Sequence, residues 1–152
     1  MTVSRPLVLD ANILIRYVLG QRVPALLTAY TGVIDFLAPE TAFIEARRHL
    51  PAILRARRAS ATAERAATLA LDALGRFVSS VPLTSYAPIR AAALARIGSR
   101  DPDDWPVLAC ALLLNCPIWT EDRDFFGTGV ATWTTARVEL YFKEAASPEA
   151  GH

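Results

Sequence analysis

Apolar residues follow two rhythms along this chain: short continuous runs alternate with longer stretches of helical period. Pro6 to Leu9 is a continuous apolar run, as expected of a strand buried on both faces. Asn12 to Leu19 reads as a helix with Ile13, Leu14, Tyr17 and Val18 on one face, and Gly20 stops it. Pro24 to Tyr30 reads as a second short helix, with proline near its first turn. Val33 to Leu37 reads as a strand with Asp35 as the exception. Thr41 suits the N-cap of a helix running through Glu45 toward Leu50. Pro51 then breaks or kinks that helix, or begins the next one.

Ser60 to Val78 is the longest helical pattern, rich in alanine and leucine, with Ser60 as its cap. A short strand at Val81–Leu83 precedes a helix from Ser85 to Ile97, which Gly98 ends. The turn Asp101-Pro102-Asp103-Asp104 leads into a helix from Trp105 to Leu114, with Pro106 in its first turn. Ile118–Thr120 and Val130–Trp133 read as strands, and Thr135–Phe142 as a last helix. Strands alternate with helices. The expected class is therefore α/β, a three-layer α/β/α sandwich around a central, mostly parallel sheet. Residues 1–144 are expected to form a single domain, and 145–152 a frayed tail.

Composition narrows the class without naming a function. A chain of 152 residues is long enough to bury a core, and at 53% hydrophobic it is far from disorder. The net charge of +1 does not announce a nucleic-acid binder, so the distribution of charge matters more. Six arginines fall between Arg47 and Arg65, and six acids between Asp101 and Asp124. Arginine suits forked contact with phosphate, though charge clusters are often plain solvated faces. Cys110 and Cys116 lie close together on one apolar stretch without nearby histidines. They read as core residues rather than a disulfide or a zinc site. The N-terminus lacks a signal-peptide pattern, and the most apolar segment, Val107–Trp119, is too short to span a bilayer. A cytoplasmic, reduced protein is expected.

The candidate chemistry lies in four acids at separate places: Asp10, Glu45, Asp104 and Asp122. Asp10 and Asp122 follow apolar runs, at the carboxyl edge of the expected sheet, where ligands of open α/β sheets bind. Asp104 opens a helix, and Glu45 lies within one. Clustered carboxylates repel, and a divalent cation with hard oxygen ligands, Mg²⁺ or Mn²⁺, is the usual compensation. Each acid also has a structural reading. Asp10 and Asp104 could cap helices, Asp122 could be a turn residue, and Glu45 could pair with Arg48. Asp103 could cap a helix, and Asp101 is a typical turn residue. His49 reads as a surface residue, and Trp105, Trp119 and Trp133 as core. No Gly-x-Ser-x-Gly nucleophile motif and no Gly-rich phosphate loop occurs.

Leu9-Asp10-Ala11-Asn12-Ile13-Leu14, Phe43-Ile44-Glu45-Ala46, the run from Asp104 to Leu112, and Trp119-Thr120-Glu121-Asp122-Arg123-Asp124-Phe125 occur in that order. Together they resemble the PIN-domain family of metal-dependent nucleases, over Leu7 to about Thr134. The resemblance implies that Asp10, Glu45, Asp104 and Asp122 hold one or two Mg²⁺ or Mn²⁺ ions. The metal would activate a water for in-line attack and stabilise charge on the phosphate. Asp124 is an auxiliary ligand or a turn-former. Asn12 would position Asp10, and Thr120 would hydrogen-bond across the site.

Within the family, the VapC-like toxin group implies an endoribonuclease that leaves 3′-hydroxyl and 5′-phosphate ends. It also implies a small antitoxin partner and a homodimer. Arg47, Arg48, Arg55, Arg57 and Arg58 are candidates to guide the RNA backbone, or to meet an acidic antitoxin face. The alternative is a PIN-fold RNA- or protein-binding scaffold with little or no catalysis. A phosphatase using Asp10 as nucleophile fits less well. Such enzymes carry Asp-x-Asp where this chain has Asn12, and a later lysine where it has only Lys143.

Overall fold

A computed structural model describes residues 4–147. The elements run in the order β1 (Arg5–Leu9), α1 (Ala11–Leu19), α2 (Arg22–Tyr30), β2 (Ile34–Pro39), α3 (Glu40–Ala56), α4 (Ala61–Ala73), β3 (Val78–Val81) and α5 (Leu83–Tyr86). There follow α6 (Arg90–Ile97), α7 (Trp105–Leu114), β4 (Ile118–Trp119), β5 (Thr132–Trp133) and α8 (Val138–Ala146). The strands form one sheet in the order β3-β2-β1-β4-β5. All its pairings are parallel, with Leu7 beside Phe36, Leu9 beside Trp119, and Trp119 beside Trp133.

Strand side chains alternate between faces, and the two faces bury different helices. Leu7, Leu9, Phe36, Ala38 and Trp119 pack with Ile13 and Leu14 of α1, Ala42 and Ala46 of α3, and Phe142 of α8. Val8 and Ile118 point the other way, onto Tyr86, Ala93, Ile97 and the helix α7. Helices on both faces of a parallel sheet make the expected three-layer α/β/α sandwich. Pro106 through Ala111 of α7 are all buried, because a helix apolar all round is stable only when enclosed. Cys110 and Cys116 are free and buried within this layer, and burial pushes their thiols up to about 12 and about 11. Among the described residues no helix is long and apolar enough to cross a membrane.

Element boundaries depart from the sequence reading in instructive places. The helix expected over Ser60–Val78 ends at Ala73, followed by a tight turn over Leu74–Arg76 that contains Gly75. Ser60 caps it as expected, its hydroxyl accepting from the Ala63 amide at 3.1 Å. The strand expected at Val81–Leu83 lies at Val78–Val81, where it pairs with Phe36–Pro39 of β2. Thr41 is not an N-cap: α3 starts one residue earlier behind Pro39, and the Thr41 hydroxyl lies 3.3 Å from that of Tyr86. Pro51 does not end α3, which continues to Ala56. The helix expected over Ser85–Ile97 is split at Ala87–Ile89, where Pro88 supplies no amide hydrogen. The last helix starts at Val138 rather than Thr135 and runs to Ala146, into the stretch expected to fray; 148–152 lie outside the described residues.

Candidate metal centre

The site grows from the ends of β1 and β4, which are neighbours in the sheet. Asp10 immediately follows β1, and its amide donates to the Trp119 carbonyl at 3.1 Å. Its side chain is held from three sides. Oδ1 accepts from the Ala11 amide at 2.7 Å, while Oδ2 accepts from the Thr120 hydroxyl at 2.8 Å and from Asn12 Nδ2 at 3.1 Å. Asp10 is thus both the N-cap of α1 and the anchor of a network joining two strands. Thr120 Oγ1 in turn accepts from the Asp122 amide at 2.9 Å, and Asn12 Oδ1 accepts from the Glu121 amide at 3.3 Å.

Across from this network stand Asp104, Asp122 and Asp124, each offering a carboxylate oxygen within 4.8 Å of the others. Asp122 Oδ1 accepts from the Asp124 amide at 2.9 Å, which folds the turn that brings the two acids together. Asp104 occupies the N-cap position of α7, yet its side chain makes no capping bond. Its Oδ2 is buried and has no hydrogen-bond partner. A buried carboxylate oxygen without a donor is costly unless the group is protonated or meets a cation.

The electrostatics follow from this placement. Burial pushes the Asp104 carboxyl up to about 8, and the charges of Asp122, Asp10, Asp101 and Asp124 push the same way. Burial also lifts Asp10, to about 6. The Thr120 and Ala11 hydrogen bonds hold it down against burial, while Glu45 and Asp122 add to the rise. Two acids with raised affinity for protons, beside Asp122 and Asp124, form a region dominated by negative charge. The donor set of clustered carboxylate oxygens suits Mg²⁺ or Mn²⁺. The unpartnered Asp104 oxygen is the atom a cation would satisfy.

The other candidates lie at varying distance from this centre. Glu45, on α3, stays outside the tight group of three, and so does Asp10. Its side chain is 56% exposed, and its nearest ionic neighbour is His49 at 3.8 Å, not Arg48. It still contributes to the charge that Asp10 feels. Asp101 is a turn residue, accepting from the Asp103 amide at 3.0 Å, and Asp103 is exposed. Arg47 is paired with Asp72 of α4 at 2.5 Å, whereas Arg48, Arg55, Arg57 and Arg58 are exposed. Trp119 is fully buried, while Trp105 is partly exposed beneath the guanidinium of Arg90, 5.2 Å from the ring centre.

Glu121 is a residue that sequence reasoning missed. Its Oε1 accepts from the Thr135 amide at 2.7 Å. Thr135 in turn accepts from Trp119 Nε1 at 3.1 Å. Glu121 therefore ties the turn bearing Asp122 to the chain after β5. Its only sequence signal is its place between Thr120 and Asp122.

Residues 8–143 match the family model of a PIN domain. A comparison with curated proteins finds no match. Among solved structures, the fold is similar to a chain in the crystal structure of VapBC2 from Rickettsia felis bound to a DNA fragment from their promoter. The TM-score is 0.62 at 12% identity, over 85% of this chain and 98% of the matched one. At that identity the likeness speaks to the fold.

Proposed function

Because the chain belongs to the PIN-domain family, we propose that it is a Mg²⁺- or Mn²⁺-dependent endoribonuclease, the toxin of a type II toxin–antitoxin module in the cytoplasm. The observation that carries the reading is the buried, unpartnered Oδ2 of Asp104, set among the carboxylates of Asp122 and Asp124. Asp104, Asp122 and Asp124 would hold the cation, with Asp10 and Glu45 facing it directly or through water. When bound, the cation lowers the pKa of an attacking water and offsets charge on the phosphate oxygens.

The protein's own residues supply the rest. Thr120, Asn12 and the Ala11 amide fix the Asp10 carboxylate in one orientation, which keeps it from swinging to relieve repulsion. Asp104 would have to give up its proton to hold a cation, which would link binding to proton release. Hydrolysis would break the P–O3′ bond, leaving the water oxygen on the 5′-phosphate and a proton on the 3′ oxygen. The likeness to a chain of VapBC2 supports a small antitoxin as partner. A homodimer and RNA guidance by Arg48, Arg55 and Arg58 belong to the same reading; Arg47 joins them only by releasing Asp72.

The test is cleavage of a mixed structured RNA pool in Mg²⁺, Mn²⁺ or EDTA, beside Asp104→Asn and Asp10→Asn. Cutting is expected in either metal and not in EDTA. Each substitution should lower it by more than about 100-fold, beyond the roughly 10–100-fold typical of groups that only support a metal ligand. Folded protein that cuts nothing in either metal would sink the reading in favour of a binding scaffold.

A further inference from the structure

Beside the acidic centre lies a groove of about 530 Å³, within the roughly 300–1,000 Å³ of ordinary ligand sites. Ile15 and Ile53 give it apolar surface, and Arg16 of α1 and Arg57 at the end of α3 give it positive charge. Both arginines are exposed. Arg22 also lines the groove but is held by Glu139 at 2.8 Å. Among the described residues that line the groove there is no carboxylate.

The groove shares two residues with the surroundings of the acidic centre. Asn12 lines it and donates to Asp10. Thr135 lines it and donates its amide to Glu121, the neighbour of Asp122. A nucleic-acid strand whose scissile phosphate sits among carboxylates brings flanking phosphates that those carboxylates repel. The flanking charge needs cations beyond the acids, and Arg16 and Arg57 line the groove that Asn12 and Thr135 join to the acidic centre. A guanidinium meets phosphate through forked donors and also stacks on a base.

We propose that this groove binds the single-stranded RNA adjoining the scissile phosphate. One base lies against Ile15 and Ile53, and Arg16 and Arg57 each bind one of two neighbouring backbone phosphates. The proposal rests on the ribonuclease reading above and adds a substrate site to it. Arg16 has no place in any of the sequence motifs, and Arg57 is one of five basic candidates that the sequence does not separate.

The test measures a short fluorescent single-stranded oligoribonucleotide of mixed sequence by anisotropy, across a salt series in Mg²⁺. The Asp104→Asn protein serves as background so that the strand is held and not cut. The variant is Arg16→Gln with Arg57→Gln. The control is Arg65→Gln with Arg76→Gln, two exposed arginines outside the groove that remove the same charge. Thermal melts establish that each protein is folded. Relative to the control, the groove variant should flatten the salt slope by about 1.4, at about 0.7 per single-strand phosphate contact. With Asp104 restored, the groove substitutions should raise KM and leave kcat unchanged, the signature of lost uniform binding. A groove variant matching the control in slope and KM, from a parent that cuts RNA, overturns the groove alone and leaves it to a protein segment. A parent that neither cuts nor binds RNA overturns both readings.

Discussion

A carboxylate oxygen buried without a donor, as Asp104 Oδ2 is, can lower its free energy by taking up a proton or a cation. The first route gives a pH signature in metal-free protein. Asp104 is pushed up to about 8 and Asp10 to about 6, both above the usual range near 3.8. A raised carboxyl binds its proton more tightly folded than unfolded. Its stabilising effect is then full below about pH 4 and is lost as pH rises through the folded value. In EDTA the melting temperature should therefore fall from about pH 4 to about pH 8, Asp10 acting over the lower part and Asp104 over the whole. Asp104→Asn should remove the decline between about pH 6 and 8 and raise Tm at pH 8. The expected rise is about 2–4 °C for each kcal/mol of repulsion relieved. A decline unchanged in the variant would show that Asp104 is ionised throughout. Much of this cluster is legible in the sequence, because an acid directly after an apolar strand, or opening a buried helix, has few places to go. Glu45 is less legible: helical period does not reveal that its side chain is half-exposed and 3.8 Å from His49. Glu121 and Arg16 escape altogether, since what matters about them is contact with elements distant in the chain.

At the scale of elements, α3 shows how tertiary packing overrides a local rule. Proline within a helix removes an amide donor and crowds the carbonyl four residues back, here that of Arg47. Yet α3 runs unbroken through Pro51, because Leu50 and Leu54 on either side are buried against Ile15, Val18 and Leu19 of α1 and Ala67 of α4. Pro51→Ala should restore the missing hydrogen bond and stabilise the protein by about 1–2 kcal/mol. That is below the roughly 3 kcal/mol helix cost of proline, because proline also restricts the unfolded chain. The urea midpoint should rise with no change in slope. A lower midpoint would mean that the ring's packing between α3 and α4 outweighs the lost bond. Similar overrides explain the misplaced ends of α4 and β3. Alanine and leucine carry the helical pattern past Ala73, but the pairing of Val78–Val81 with Phe36–Pro39 commits that stretch to the sheet. Hydrophobic period identifies where elements exist, and long-range pairing decides where they stop.

For the molecule as a whole, the strand order explains why the acids meet. From β1 the chain builds outward through β2 and β3, then returns to lay β4 and β5 on the other side of β1. The crevice between β1 and β4 is where successive connections depart in opposite directions, the place where open parallel sheets bind ligands. Asp10 and Thr120 close that crevice with a 2.8 Å hydrogen bond, and Asp122 follows two residues later. Alternation of strands and helices predicts the sandwich, but it does not give the order of the strands. The sequence thus places Asp10, Asp104 and Asp122 at strand or helix ends without showing which ends are neighbours. A site built at the crevice links elements far apart in the chain, so filling it should stabilise the entire fold. A cation that binds the folded state alone contributes about 2.7 kcal/mol at a hundred-fold excess over its Kd, and each kcal/mol is worth about 2–4 °C for a chain of this size. Mg²⁺ or Mn²⁺ at about a hundred-fold excess over its Kd should therefore raise Tm by about 5–10 °C at pH 8, where Asp104 is least protonated, and by less at pH 6, where a proton competes for the same oxygen. The shift should vanish in Asp104→Asn. An equal rise in wild type and variant would locate the cation elsewhere, and no rise at millimolar metal would leave Asp104 to be satisfied by its proton alone.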